Sequence, residues 1–129
     1  MSILHLGYVN VFVSDFERAV TFYRDTLGLS ATSTEPQFGY ASFNAGPISF
    51  AVAQTDDSDM VGRHTGVGFI VSDIDAAYKQ MSDAGVSFDM PPTPQPWGGT
   101  LALFKDPDGN IFYLDPGHSG DETGTGTGS

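Results

Sequence analysis

Among the side chains of this 129-residue chain that can do chemistry are three histidines, sixteen carboxylates, five tyrosines and one tryptophan, and there is no cysteine. Without thiols there are no disulfides, no thiolate metal sites and no cysteine nucleophile. A divalent cation would need His64 joined by carboxylates such as Glu35, because ligand number and geometry are demanding. The commoner reading of a lone histidine is a surface residue. The rings point another way: Trp97, followed by Gly98-Gly99, can stack on a planar ligand, and tyrosine hydroxyls can anchor it.

Two copies of one unit must position them. Tyr8-Val9-Asn10-Val11-Phe12-Val13 alternates with period 2 and runs into Ser14-Asp15-Phe16-Glu17-Arg18-Ala19, while Gly66-Val67-Gly68-Phe69-Ile70-Val71 runs into Ser72-Asp73-Ile74-Asp75-Ala76-Ala77. Val13, Ser14, Asp15 and Ala19 match Val71, Ser72, Asp73 and Ala77 at a constant offset of 58, which is the mark of a duplicated supersecondary unit. The alternation predicts a strand with Val9, Val11 and Val13 on one face and Tyr8, Asn10 and Phe12 on the other. Ser14 with Glu17, and Ser72 with Asp75, read as capping boxes that start a helix after each strand. Phe16, Ala19, Val20, Tyr23 and Leu27 then form one apolar helical face for the valine side, and Gly28 and Gly85 close the two helices. Function therefore belongs on the opposite strand face.

Further along, Ser30 to Thr34 is β-prone, and Phe38–Phe43 and Ile48–Ala53 read as strands around the turn Asn44-Ala45-Gly46-Pro47. Thr55 to Arg63 is an acidic loop between the modules, with Asp56, Asp57 and Asp59 on it. In the second module the helix turns Ile74, Ala77, Tyr78 and Met81 inward, and Val86–Met90 is a short strand. Pro91 to Pro96 is expected to be a stiff polyproline-like arm carrying Trp97. Thr100–Lys105 and Ile111–Leu114 are strands around the tight turn Asp106-Pro107-Asp108-Gly109-Asn110. From Gly117, GHSGDETGTGTGS reads as a disordered tail, taking His118 with it. His5 has the opposite strand parity from Tyr8 and is expected on the helix side or at a frayed end.

The formal charge is −11, from sixteen acidic and five basic residues. Such a field repels phosphate backbones, so no nucleic-acid partner is expected, and it favours a cationic ligand. Solubility or a saline habitat would be served by the same composition. No apolar run is long enough to span a membrane and no cleavable leader is evident, so a soluble cytoplasmic protein is expected, without a membrane partner.

The repeated motifs, with Phe22-Tyr23-Arg24-Asp25-Thr26-Leu27-Gly28, Trp97-Gly98-Gly99 and Asp106-Pro107-Asp108-Gly109-Asn110, resemble the vicinal oxygen chelate superfamily of glyoxalase I, extradiol dioxygenases and bleomycin-resistance proteins. The resemblance spans Leu4 to Asp115. It implies an α+β fold of two βαβββ modules, about 4–54 and 64–115, in a single domain over 1–116, with curved mixed sheets around a cleft and usually a homodimer. It also places the family's four metal-ligand positions at Tyr8, Ala51, Gly66 and Tyr113. None of these is a histidine or carboxylate, so the resemblance is nearest to a metal-free, bleomycin-resistance-like branch with no cofactor.

By parity Tyr8, Asn10, Phe12, Ser49, Ala51, Ala53, Gly66, Gly68, Ile70, Ile111 and Tyr113 face the cleft, with His64 at its rim. Gly66, Gly68 and Ala51 are expected to leave room there. The candidate ligand-binding residues are Tyr8, Asn10, Phe12, Phe38, Tyr40, Ser49, His64, Trp97 and Tyr113, with no catalytic residue and no metal ligand. Apolar walls with a few directional polar groups make a small-molecule pocket, although tyrosines at these positions also serve as core filling. The functional expectation is a metal-free protein that sequesters a small cationic aromatic antibiotic of the bleomycin type. The alternatives are a metal-dependent glyoxalase- or dioxygenase-like enzyme with non-standard ligands, and a binding module for an unrelated small molecule.

Overall fold

A computed structural model describes residues 3–117. The element order is β1 (Tyr8–Val13), α1 (Phe16–Val20), a π-helical segment (Thr21–Thr26), β2 (Ser30–Glu35), β3 (Tyr40–Asn44), β4 (Ser49–Gln54), β5 (His64–Ile70), α2 (Ile74–Asp83), β6 (Ser87–Pro94), β7 (Thr100–Lys105) and β8 (Ile111–Asp115). Two four-stranded mixed sheets result, in the orders β1-β4-β3-β2 and β5-β8-β7-β6. The chain divides into two compact units, one holding the residues up to Arg63 with Pro107–Asn110, the other His64–Asp106 with the residues from Ile111. The turn at 107–110 thus belongs to the first unit although its flanking strands belong to the second.

In the first unit β1 and β4 run parallel, pairing Asn10 with Ala51 and Val11 with Val52. Val11, Val13, Phe43, Phe50 and Val52 are buried on one side, under Phe16, Ala19, Val20, Phe22 and Tyr23 of the helix. Tyr23 is fully buried, with its ring centroid 5.1 Å from Phe50 and 6.1 Å from Phe43. Such tilted ring pairs add to the area term of burial, and truncating a core phenylalanine costs about 3–5 kcal/mol. In the second unit Phe104 stacks on Phe112 at 5.4 Å, and Phe69 and Phe88 complete the cluster with Ile74 of α2 nearby in the core.

Four local readings are corrected. First, the helix caps are Asp15 and Asp73, which accept from Arg18 N at 3.1 Å and Ala76 N at 3.0 Å. A carboxylate is the stronger acceptor, and Ser14 is held elsewhere: its N–H and Oγ both donate to Asp108. Second, the first helix is not α-helical throughout. Leu27 N bonds to Phe22 O, and the wider π turn lets adjacent Phe22 and Tyr23 both bury. Third, Phe38 is not in a strand but ends a 3₁₀ turn, Pro36–Phe38, and is 73% exposed. The chain re-enters the sheet through Gly39 at φ +61°, where a Cβ would lie 2.9 Å from Gln54 Cβ. Fourth, Pro91, Pro92 and Pro94 lie within β6, paired to β7 as far as Pro94–Thr100 with two register shifts. An edge strand tolerates proline because one side needs no N–H donors. The tail expected after Gly117, with His118, lies outside the described residues.

Asn110, 2% exposed, organises the first unit from the 107–110 turn. Its Oδ1 accepts from Gly62 N at 2.8 Å and Arg63 N at 3.3 Å, and its Nδ2 donates to Phe12 O at 3.0 Å. Beside it Arg18 Nη2 donates to Asp108 at 3.0 Å and to Ser14 Oγ at 3.2 Å. On the helix surface Asp25 is held below the usual carboxylate range by its hydrogen bond from Arg24. The small stabilisation from this exposed pair is present above the unfolded pKa and is lost as pH falls through the folded one. Asn110→Ala should lower unfolding stability by about 2–3 kcal/mol, because it removes the three hydrogen bonds that a buried side chain makes to Gly62, Arg63 and Phe12. Urea denaturation measures this, and a loss below about 0.5 kcal/mol, the usual surface value, would contradict the role.

Candidate functional site

The strand registers determine which candidate side chains meet. In antiparallel and parallel pairs alike, directly paired residues share a face, and side chains alternate along each strand. In the first unit three rows therefore cross the sheet on the side away from Phe43 and Phe50: Tyr8 with Ser49 and Asn44; Asn10 with Ala51, Ser42 and Ser33; and Phe12 with Ala53, Tyr40 and Glu35. Tyr8 is 66% exposed, whereas Phe12, Tyr40 and Ser49 are half-buried. Tyr8, Asn10, Phe12, Tyr40 and Ser49 are thus brought together. Phe38 is not, because it leaves the sheet before β3 begins.

Ala51 was expected to leave room and is instead fully buried. Its methyl stands between the taller Asn10 and Ser42, which pair with it on either side. Asn10 Oδ1 is buried with no hydrogen-bond partner among the described residues. A buried acceptor left unmade costs about 1–3 kcal/mol, so its presence on the face away from the core asks for a functional explanation. Thr32 Oγ1 and Ser42 Oγ satisfy one another at 2.8 Å.

In the second unit the corresponding face carries His64, Gly68 and Ile70 of β5, Ile111 and Tyr113 of β8, and Leu103 of β7. His64 and Tyr113 meet, with centroids 4.9 Å apart and planes inclined at 58°. Ile70 is 67% exposed. Trp97 lies on the β6–β7 hairpin turn, closed by Gln95 N to Gly99 O at 2.7 Å and Gly98 N to Gln95 O at 2.9 Å. Its indole is 70% exposed, with Nε1 3.0 Å from where a Gly99 Cβ would stand. The hairpin, rather than a polyproline arm, holds it. Leu103 and Met90 on this face were not foreseen, although the alternation of Leu101 and Leu103 against Ala102 and Phe104 carried the signal.

The acidic loop is engaged locally. Asp57 accepts from Asp59 N at 3.0 Å, and Arg63 Nη1 donates to Asp59 O at 2.9 Å.

The donor chemistry also tests the four metal-ligand positions of the family. Tyr8 and Tyr113 offer only phenol oxygens, Ala51 a buried methyl and Gly66 no side chain. This set does not fit a divalent cation, which takes imidazole, carboxylate or thiolate. Among the described residues no group of three or more His, Asp or Glu is placed to hold a metal. No described helix is long and apolar enough to cross a membrane.

The sequence pattern of the Glyoxalase/Bleomycin resistance protein/Dioxygenase superfamily matches residues 5–114. A solved member of that superfamily from Sphaerobacter thermophilus DSM 20745 is 32% identical, with a TM-score of 0.71 over 88% of this chain and 97% of that one. TnmS3, an antibiotic binding protein from Streptomyces sp. CB03234, is 30% identical, with a TM-score of 0.72 over 89% of this chain and 97% of its own. The bleomycin-binding protein of bleomycin-producing Streptomyces verticillus, solved with copper(II)-bleomycin, shares the fold at 24% identity, with a TM-score of 0.72 over 90% and 99% of the two chains.

Proposed function

The chain belongs to the Glyoxalase/Bleomycin resistance protein/Dioxygenase superfamily, and from that premise we propose that it is a metal-free small-molecule-binding protein, sequestering a cationic aromatic antibiotic of the bleomycin type in the cytoplasm. The observation that carries this reading is the character of the non-core sheet faces. They combine rings and small side chains with a buried polar atom, Asn10 Oδ1, that has no partner among the described residues. That is the composition of a ligand surface: apolar contact for affinity, sparse polar groups for orientation. The donor-poor family metal positions favour binding over metal-assisted chemistry. The formal charge of −11 draws cations toward any part of the surface. TnmS3, similar at 30% identity, supports an antibiotic as the ligand class.

On this reading protection is stoichiometric, and no bond is made or broken. Trp97, exposed on its hairpin, supplies a stacking plate. Metal-stripped protein should show a raised melting temperature with metal-free bleomycin, since a ligand binding only the folded state adds about 2.7 kcal/mol at a hundred times its Kd. Trp97→Ala should weaken that binding about tenfold, or about 1.4 kcal/mol, with folding intact. No stabilisation by bleomycin, or stabilisation that appears only with added divalent metal, would overturn the reading.

A homodimer is part of the same proposal. Among the described residues no further strand pairs with β1 or β5, each at one side of its sheet, and open edges are templates for another chain. Tyr8 and Ile70, on those strands, are 66% and 67% exposed. Sedimentation equilibrium should return twice the chain mass at micromolar concentration, and a monomer mass would contradict it.

A further inference from the structure

Between its pairings His64–Ile111 and Gly68–Tyr113, β5 advances four residues while β8 advances two. The two extra residues form a bulge with its own hydrogen bonds. Thr65 Oγ1 donates to Ile111 O at 2.7 Å and accepts from Val67 N at 3.1 Å, and Gly66 sits at φ +73°. Because the insertion is even, parity is kept and His64 stands on the same face as Tyr113, ring against ring at 4.9 Å. The bulge also does something to His64 itself: Gly66 N donates to His64 Nδ1 at 3.1 Å.

A neutral imidazole that accepts at Nδ1 carries its proton on Nε2. The backbone of the bulge therefore fixes the tautomer and leaves His64 with one N–H of set direction. Among the described residues neither His64 Nε2 nor the Tyr113 hydroxyl has a hydrogen-bond partner. Lys105, the cation on the same row of the sheet, is paired to Asp89 at 3.1 Å. Beside the two rings β5 has glycine at positions 66 and 68. A Cβ on Gly66 would meet nothing within 4 Å, and one on Gly68 would meet only Tyr113 Cβ at 3.6 Å.

We propose that His64 orients the ligand, its Nε2–H donating to a ring carbonyl oxygen of a planar aromatic compound that lies along Gly66–Gly68 against the Tyr113 ring. An N–H donor suits a carbonyl oxygen, and anionic acceptors are disfavoured by the charge of the chain. The inference rests on the small-molecule reading above and adds to it the ligand atom that is recognised. Gly66 and Thr65 are positioning residues here, acting through the tautomer.

Two measurements on the whole chain test it. Nitrogen-15 spectra of histidine-labelled protein at alkaline pH should show His64 with an unprotonated, hydrogen-bonded Nδ1 and a protonated Nε2. Titration should then show coumarin binding about fivefold or more tighter than 2H-chromene, which keeps the rings and lacks the carbonyl. His64→Gln, whose amide presents an N–H at similar reach, should keep that preference. His64→Asn and His64→Ala should lose it while remaining folded. The opposite tautomer, equal binding of the two compounds to the native protein, a preference that survives in His64→Ala, or binding of neither compound would each overturn the proposal. A coumarin preference without bleomycin binding would leave this inference standing and remove the antibiotic; bleomycin binding without the preference would do the reverse.

Discussion

Parallel pairing of β1 with β4, and of β5 with β8, is the constraint on which the rest depends. Parallel neighbours cannot be joined by a tight turn, so a crossover must cover one face of each sheet. That face becomes the core: Val11, Val13, Phe43, Phe50 and Val52 under the first helix, and Phe69, Phe104, Phe112 and Leu114 in the second unit. Period-2 alternation then delivers the remaining side chains to the other face without further design. Tyr8, Asn10 and Phe12 are site candidates because Val9, Val11 and Val13 are scaffold. A one-residue slip of β1 against β4 would exchange the two sets.

What the second face can do follows from what occupies it. Rings, hydroxyls, an unsatisfied amide oxygen and bare glycines give contact area and direction, whereas imidazole and carboxylate are missing where the family places its metal. Duplication of the βαβββ unit is thus preserved as architecture, while the positions that hold the metal elsewhere in the family carry side chains that do not suit one. The cost is visible in Asn10, whose buried Oδ1 would be better replaced by an apolar atom if stability were the only requirement.

Much of this was legible in the residue order. β1 and β7 lie where alternation placed them, a helix follows the first strand of each repeat, and the repeat announces two similar units. Local pattern failed where a distant partner intervened. Ser14 reads as a cap until Asp108, 94 residues away, takes both its donors. Asn110 reads as a turn residue, yet it joins Gly62, Arg63 and Phe12 through its side chain. The prolines of β6 suggested an extended arm, and only their place at a sheet edge makes them a strand. Similarly the bulge at Gly66 has no signal in composition, because His64, Gly66 and Gly68 keep the same parity with or without it. Phe38 was misplaced because Gly39 ends a 3₁₀ turn rather than continuing a strand.

The most direct test of the account is a map of where a ligand lands. Backbone amide spectra of metal-stripped protein, titrated with metal-free bleomycin, would locate it residue by residue. The account predicts concentration-dependent shifts at Tyr8, Asn10 and Ser49 in the first unit and at His64, Gly68 and Tyr113 in the second, with the core-facing Val52 and Phe104 little affected. Shifts confined to the acidic stretch Asp56–Asp59, which would mark mere charge attraction, or no shifts at all, would contradict the claim that the non-core sheet faces are the binding surface.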